Sequence, residues 1–164
     1  MYWKWKMNKI LKLYSQWAEV ITGEKVQLDW CSDWFCVPIY PFKIWVAMLI
    51  SEENTKTLPH FLQENFNCKF SFNKISLIST CFIHECGHIM TAPFIDDNED
   101  DYQEKVTPEE YRKLPKEWAA DEWMVNYINN NAVNVFFWQK KIEQAYSKIT
   151  QKDLENFLKS KKFL

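Results

Sequence analysis

The sequence contains very little glycine, since only two glycines occur among its 164 residues. It also lacks internal repeats, low-complexity segments and any Gly-Ser stretch of the kind that forms flexible linkers. These absences exclude a repeat architecture and give no sign of a domain boundary. Because 47% of the residues are hydrophobic and 17% are aromatic, we expect a single domain over residues 1–164 with a bulky core.

Long apolar runs are also missing, because no stretch approaches the roughly 20 apolar residues that span a bilayer. The chain begins with basic side chains, as a signal peptide does, but Lys6, Asn8 and Lys9 interrupt the apolar core that such a peptide needs. A helix lying on a membrane surface is an alternative for this segment. Strand patterns follow it directly, so we expect the helix to pack on the domain and expect no membrane partner.

Neither sign of charge is in large excess, since 20 basic and 22 acidic residues give a net charge of −2. The sequence therefore lacks the basic footprint of a nucleic-acid-binding protein, and no helix-turn-helix segment is apparent. The five cysteines are odd in number, and the spacing of Cys31 and Cys36 fits neither a C-x-x-C motif nor a zinc ribbon. We expect reduced thiols and a cytoplasmic location.

Hydrophobic periodicity predicts an α+β fold with a small antiparallel or mixed sheet. An amphipathic N-terminal helix is expected to end at Gly23, and Leu58–Phe66 is expected to form a short helix with Pro59 in its first turn. Two helices are expected near the C-terminus, the second introduced by the capping pattern Thr150-x-x-Asp153. The predicted strands are Val26–Trp30, Trp34–Tyr40, Ile44–Ile50 and an edge strand Cys68–Phe72, and the C-terminal helices are Val133–Ile149 and Leu154–Phe163.

The most informative stretch reads His84-Glu85-Cys86-Gly87-His88 and lies in a Pro-free apolar run, Lys74 to Met90, which begins after a plausible N-cap at Asn73. Such a run predicts a buried helix. Residues four apart share one helical face, so both imidazoles can bind one ion, while Glu85 can reach a metal-bound water. Two imidazoles and a carboxylate are costly to bury, and a divalent metal with its water satisfies all three. We interpret the motif as a metal site.

Gly87 lies between the two histidines, although glycine in a helix interior costs about 1 kcal/mol relative to alanine. A neighbouring backbone or the floor of a substrate cleft is therefore expected to come close to the helix at this point.

A third metal ligand has to come from elsewhere in the chain, and Glu117 is the best candidate. It lies in a helical pattern entered through Pro115 and shares a face with Asp121 and with small or apolar residues. Carboxylates on an inward face need partners. We predict that Glu117 binds the metal and that Asp121 accepts a hydrogen bond from a metal-bound imidazole, with His60 or Asp121 as the alternative third ligand.

Together these motifs resemble the gluzincin metallopeptidases, and most closely the ImmA/IrrE-like family, whose pattern is H-E-x-G-H followed by E-x-x-A-[ND]-x-F. The similarity covers roughly residues 75–128, with Trp123 at the position of the usual Phe. It implies a zincin-like α+β fold in which the sheet packs on the HExxH helix and a second, Glu-bearing helix. It also implies that His84, His88 and Glu117 are ligands of Zn²⁺, that Glu85 is the general base and that Asp121 orients an imidazole.

The resemblance further implies a cytoplasmic zinc metallopeptidase that hydrolyses a protein or peptide substrate, since several such proteins cut or disable a repressor. The alternative is a zincin-fold binding or inhibitor protein of a mobile element that acts without proteolysis. Intact Glu85 favours catalysis, because a structural zinc site needs no carboxylate beside its first ligand. The residue that stabilises the oxyanion stays open among His60, Tyr102, Tyr111 and Tyr127.

Overall fold

The computed structural model describes residues 2–31, 43–47, 52–91 and 107–161. Within these ranges the chain is mostly helical, with a small two-stranded parallel sheet, in agreement with the expected α+β class. The predicted strand Trp34–Tyr40 lies outside the described residues. The elements are α1 Tyr2–Thr22, β1 Gln27–Cys31, β2 Lys43–Ala47, α2 Glu52–Asn65, α3 Leu77–Thr91, α4 Pro108–Arg112, α5 Pro115–Tyr146 and α6 Gln151–Ser160.

Helix α1 confirms the predicted amphipathic N-terminal helix. Its apolar face is buried, and Tyr14 and Trp17 pack against Phe82 of α3, with ring centroids 4.8 and 5.0 Å apart. The helix ends at Gly23, which has φ +74° and donates its N–H to the carbonyl of Glu19. Glycine enters this left-handed conformation without the steric cost that a Cβ imposes.

Strands β1 and β2 pair in parallel, with Leu28 opposite Ile44 and Trp30 opposite Val46. Of the antiparallel and mixed sheets that the sequence predicted, a wholly antiparallel sheet is therefore wrong. Eleven residues, 32–42, separate the two strands in the sequence. Both Ile44 and Val46 are fully buried, and β2 contacts α3.

Helix α2 begins earlier than predicted, at Glu52 rather than at Leu58. Glu52 and Glu53 lie in the first turn, where carboxylates interact favourably with the helix dipole. Lys56 also pairs with Glu52 at 2.7 Å. Pro59 consequently lies inside the helix rather than in its first turn.

The predicted edge strand Cys68–Phe72 does not form. The side-chain amide of Asn129 on α5 replaces a neighbouring strand, since it accepts the N–H of Lys69 at 2.8 Å and donates to the carbonyl of Asn67 at 2.7 Å. Gln139 binds the next segment in the same way, through the carbonyl of Lys74 and the N–H of Ser76. The segment that leads into α3 is thereby attached to α5.

Helix α3 starts at Leu77 instead of Lys74, because Ser76 rather than Asn73 caps it and accepts the N–H of Ser79 at 3.2 Å. As predicted, the helix is buried, with Phe82, Ile83 and Cys86 at 0% exposure. The predicted helical segment around Glu117 and the predicted helix Val133–Ile149 belong to one helix, α5, which is interrupted at Asn131 (φ −134°, ψ 26°).

The capping signal before α6 is confirmed, since Thr150 and Asp153 form a reciprocal capping box. The cysteines at 31, 68, 81 and 86 are free thiols. Among the described residues, no helix combines the length and the apolar character that a transmembrane span requires.

Candidate metal centre

Helix α3 presents His84 and His88 on one face, one turn apart, as the four-residue spacing requires. Their ring centroids are 4.6 Å apart and the rings are nearly perpendicular. The side chains of His84 and His88 are 15% and 18% exposed, so neither is completely enclosed by the described residues although the helix around them is buried.

Helix α5 places two carboxylates against these imidazoles. One oxygen of Glu117, Oε2, lies 3.0 Å from Nε2 of His84 and 3.3 Å from Nε2 of His88. The carboxylate of Asp121 contacts the other nitrogen of His84, with Oδ1 2.7 Å from Nδ1. The structure thus brings together His84, His88, Glu117 and Asp121, including the expected contact between Asp121 and a ring nitrogen of His84.

The close packing of α3 on α5 depends on Gly87. A Cβ atom on this residue would lie 2.8 Å from the backbone oxygen of Ala120, a distance that real Cβ contacts do not reach. The neighbouring backbone is therefore the feature that approaches Gly87, as one of the two sequence-based expectations proposed. Ala120 lies between Glu117 and Asp121 in the sequence, so the same contact sets how near both carboxylates come to α3.

The four side chains form a coupled group of charges. Burial lowers the pKa of His84, but the carboxylates of Asp121 and Glu117 outweigh this effect and hold it well above its ordinary value. Burial raises the pKa of Glu117, yet hydrogen bonds from His84 and His88 lower it far more. The raised pKa favours the protonated form of His84 between the two carboxylates. A metal that takes its Nε2 nitrogen displaces that proton.

Glu85 lies next to this group and is only 7% exposed. Burial raises the pKa of its carboxyl group, and the two imidazoles oppose that change. Its carboxylate lies with the ligand atoms of His84 and His88 in a set whose members are all within 4.8 Å of one another, which could hold a metal ion. Oε2 of Glu117 lies 3.0 and 3.3 Å from the two Nε2 atoms, so this carboxylate could also hold an ion together with the two imidazoles.

The remaining candidates for the site are placed differently. His60 is exposed and pairs with Glu64 at 3.1 Å within α2. Tyr127 stacks on Trp123, with ring centroids 5.2 Å apart. The hydroxyl group of Tyr111 donates a hydrogen bond to Oε1 of Glu117 at 2.9 Å, so Tyr111 belongs to the site.

The sequence contains no signal that distinguishes Tyr111 from the other candidates, because its contact depends on how α4 is placed against the first turn of α5. Tyr102 lies outside the described residues.

Searches with the whole chain find no matching protein-family model, no matching curated protein and no matching solved structure. The resemblance to the gluzincin and ImmA/IrrE-like metallopeptidases accordingly rests on the motif residues alone.

Proposed function

We propose that this protein is a zinc-dependent peptidase of the zincin type, with His84, His88 and Glu117 as the ligands of Zn²⁺. The observation that carries the proposal is the convergence of both Nε2 nitrogens on one oxygen of Glu117, at 3.0 and 3.3 Å. Two ligands about 2.0–2.2 Å from a tetrahedral zinc ion lie about 3.3–3.5 Å from each other. The separations of 3.0 and 3.3 Å are near this value, which supports the binding of one ion by the three side chains.

The donor set also suits a catalytic zinc better than a structural one. Three protein ligands leave a fourth position for water, whereas structural sites use four protein ligands, most of them cysteines. The side chains of His84 and His88 keep 15% and 18% of their surface exposed, which is compatible with access of water to the ion. The contact of Asp121 with Nδ1 of His84 fixes the ring so that Nε2 faces Glu117.

In the proposed reaction, Glu85 takes the proton of the attacking water and later passes it to the leaving amine. A raised pKa, caused by its burial, suits a group that must both accept and release that proton. Bound zinc would supply a Lewis acid that acidifies the water and polarises the scissile carbonyl. Asp121 and Glu117 carry the negative charge that stabilises the cationic centre.

The proposed substrate is an extended peptide or protein segment, bound by strand addition beside the metal helix. Of the two segments that the sequence offers for this role, Cys68–Phe72 forms no strand, and Asn129 binds the backbone next to it. Strand β2 (Lys43–Ala47) contacts α3, which makes it the better candidate. Free thiols at the described cysteines are compatible with the proposed cytoplasmic location.

A proteome-wide cleavage comparison tests the proposal. Wild type and Glu85→Gln, each loaded with zinc, are incubated with an extract of the source cells, and new peptide termini are identified by mass spectrometry. We expect termini that appear with wild type and not with Glu85→Gln, because the amide keeps the shape of the side chain but cannot accept the proton of the water.

The matched control is Glu122→Gln, which neutralises an exposed carboxylate one residue after Asp121 and should cleave as wild type does. A biological effect that survives Glu85→Gln unchanged would contradict the peptidase proposal. That result would favour the alternative, a zincin-fold binding protein that acts on a partner without proteolysis.

A further inference from the structure

The two oxygens of Glu117 have different partners. Oε2 faces the Nε2 nitrogens of His84 and His88, whereas Oε1 accepts a hydrogen bond from the hydroxyl of Tyr111 at 2.9 Å. The Glu117 side chain is 6% exposed, so few other orientations are open to its carboxylate. Tyr111 itself is 40% exposed, which places this phenol at the rim of the site rather than in the core.

Helix α4 holds Tyr111 in this position through contacts at both of its ends. At the N-terminus, Thr107 and Glu110 form a capping box, with bonds of 3.2 and 2.6 Å. At the C-terminus, Arg112 donates a hydrogen bond to Asn54 of α2 and lies over the ring of Phe61. Helix α4 is thus attached to α2.

The junction between α4 and α5 is short. The N–H of Leu114 binds the carbonyl of Tyr111 at 3.1 Å, and Pro115 begins α5 directly afterwards. On the other side of the junction, the N–H of Trp118 binds the carbonyl of Leu114 at 2.9 Å. Glu117 therefore lies in the first turn after a junction that hydrogen bonds hold on both sides. The Tyr111 ring and the Glu117 carboxylate are held together by the local chain as well as by their own contact.

We propose that Tyr111 is a positioning residue for the metal centre, which holds one oxygen of Glu117 so that the other is presented to the ion. This inference rests on the proposed function, because it assumes that Glu117 is a metal ligand. A free carboxylate can rotate or bind an ion through both oxygens, and a donor on one oxygen removes that freedom. Loss of such an outer partner typically weakens metal binding about 10- to 100-fold.

The test compares wild type, Tyr111→Phe and Tyr127→Phe. Each is stripped of metal, and its zinc affinity is measured by competition with a chromophoric chelator. The visible absorption of the cobalt-substituted protein is recorded as well, because it reports the coordination of the ion. Tyr127→Phe removes a hydroxyl from another partly buried tyrosine, which stacks on Trp123, and serves as the matched control.

We expect Tyr111→Phe to bind zinc about 10- to 100-fold more weakly and to change the cobalt spectrum, while Tyr127→Phe matches wild type in both measurements. Unchanged affinity in Tyr111→Phe would overturn the inference and leave the proposed function intact. Weaker binding with an unchanged cobalt spectrum would also overturn it, because the loss would then come from general destabilisation. Wild type that binds no zinc would overturn the proposed function and this inference together.

Discussion

Asp121 determines which nitrogen of His84 faces the second helix. Its Oδ1 contacts Nδ1, which leaves Nε2 directed at Glu117. The other oxygen of Asp121 is buried and has no hydrogen-bond partner among the described residues. A buried carboxylate with an unpaired oxygen is costly, and the opposite charge of the imidazolium offsets part of that cost.

We expect Asp121→Asn to keep zinc at micromolar concentrations but to bind it about 10- to 100-fold more weakly than wild type, because the amide is a poorer acceptor for the N–H of His84. Chelator competition measures the change. Glu122→Gln, which alters an exposed neighbour, should leave the affinity unchanged. Wild-type affinity in both Asp121→Asn and Asp121→Ala would remove this role from Asp121.

A second prediction at the residue scale concerns Gly87. In an open helix, Gly87→Ala would stabilise the protein by up to about 1 kcal/mol through helix propensity. Here the added Cβ would meet the backbone oxygen of Ala120 at 2.8 Å, and backbone cannot move aside as a flexible side chain can. We expect the free energy of unfolding in urea to fall by about 1–3 kcal/mol and zinc binding to weaken, because α5 carries Glu117.

Gly23→Ala is the informative comparison for Gly87→Ala. A Cβ at Gly23 has no atom within 4 Å, but φ is +74°, so the substitution costs stability through backbone strain. It should lower the free energy of unfolding and leave zinc affinity unchanged. Equal zinc affinity in Gly87→Ala and wild type would show that the spacing of α3 and α5 does not control the site.

Among the elements, α5 holds the segment that precedes α3 through hydrogen bonds from two of its side-chain amides. Asn129 and Gln139 each bind the N–H and carbonyl of two backbone residues that are two positions apart. A neighbouring β-strand would offer the same pair of groups. The amides therefore replace a strand and attach the segment before α3 to the helix that carries Glu117.

We expect Gln139→Leu to lower the free energy of unfolding by about 1–3 kcal/mol. Gln139 is 4% exposed, and its loss leaves the carbonyl of Lys74 and the N–H of Ser76 without their partner. Urea unfolding followed by circular dichroism measures the effect. The control Gln144→Leu, on the exposed face of the same helix, should change stability by less than about 0.5 kcal/mol. Equal stability of the two variants would contradict the structural role of Gln139.

The contact between α1 and α6 predicts a dependence of stability on pH. A hydrogen bond from Lys6 at 2.6 Å, together with the cap of α6, lowers the pKa of Asp153 from its ordinary value of 3.8 to about 2. Because the folded-state pKa is the lower one, this stabilisation is present above about pH 4 and is lost as the pH falls towards 2.

Asp153→Asn should accordingly have a lower melting temperature than wild type at pH 7, and the difference should shrink as the pH falls from 4 to 2. The control Glu155→Gln, on an exposed position of α6, should show little difference at either pH. A difference between wild type and Asp153→Asn that stays constant down to pH 2 would show that the Lys6 contact is not responsible.

For the whole molecule, the sequence predicted those features that depend on local pattern. The amphipathic α1, its end at Gly23, the buried α3 and the capping box at Thr150 follow from periodicity and from residue types with narrow conformational preferences. A close approach at Gly87 was also predicted, and of the two alternatives left open the structure shows the backbone, that of Ala120.

Other features depended on contacts between distant residues and could not be predicted. The parallel pairing of β1 and β2 depends on the path of the chain between them. The segment at Cys68 has the alternation of a strand, but its partner is the side chain of Asn129, sixty residues away from Lys69. The contact of Tyr111 with Glu117 is close in sequence, but it depends on the geometry of the junction between α4 and α5, which the local pattern does not determine.

In the proposed function, helices α3 and α5 together form one metal centre. The most direct test is elemental analysis of the purified protein, with Glu117→Ala beside wild type and Glu122→Ala as the exposed control on the same helix. We expect about one zinc ion per chain in wild type and in Glu122→Ala, and far less in Glu117→Ala, because one of only three protein ligands is removed. Full zinc occupancy in Glu117→Ala, or none in wild type, would contradict the claim.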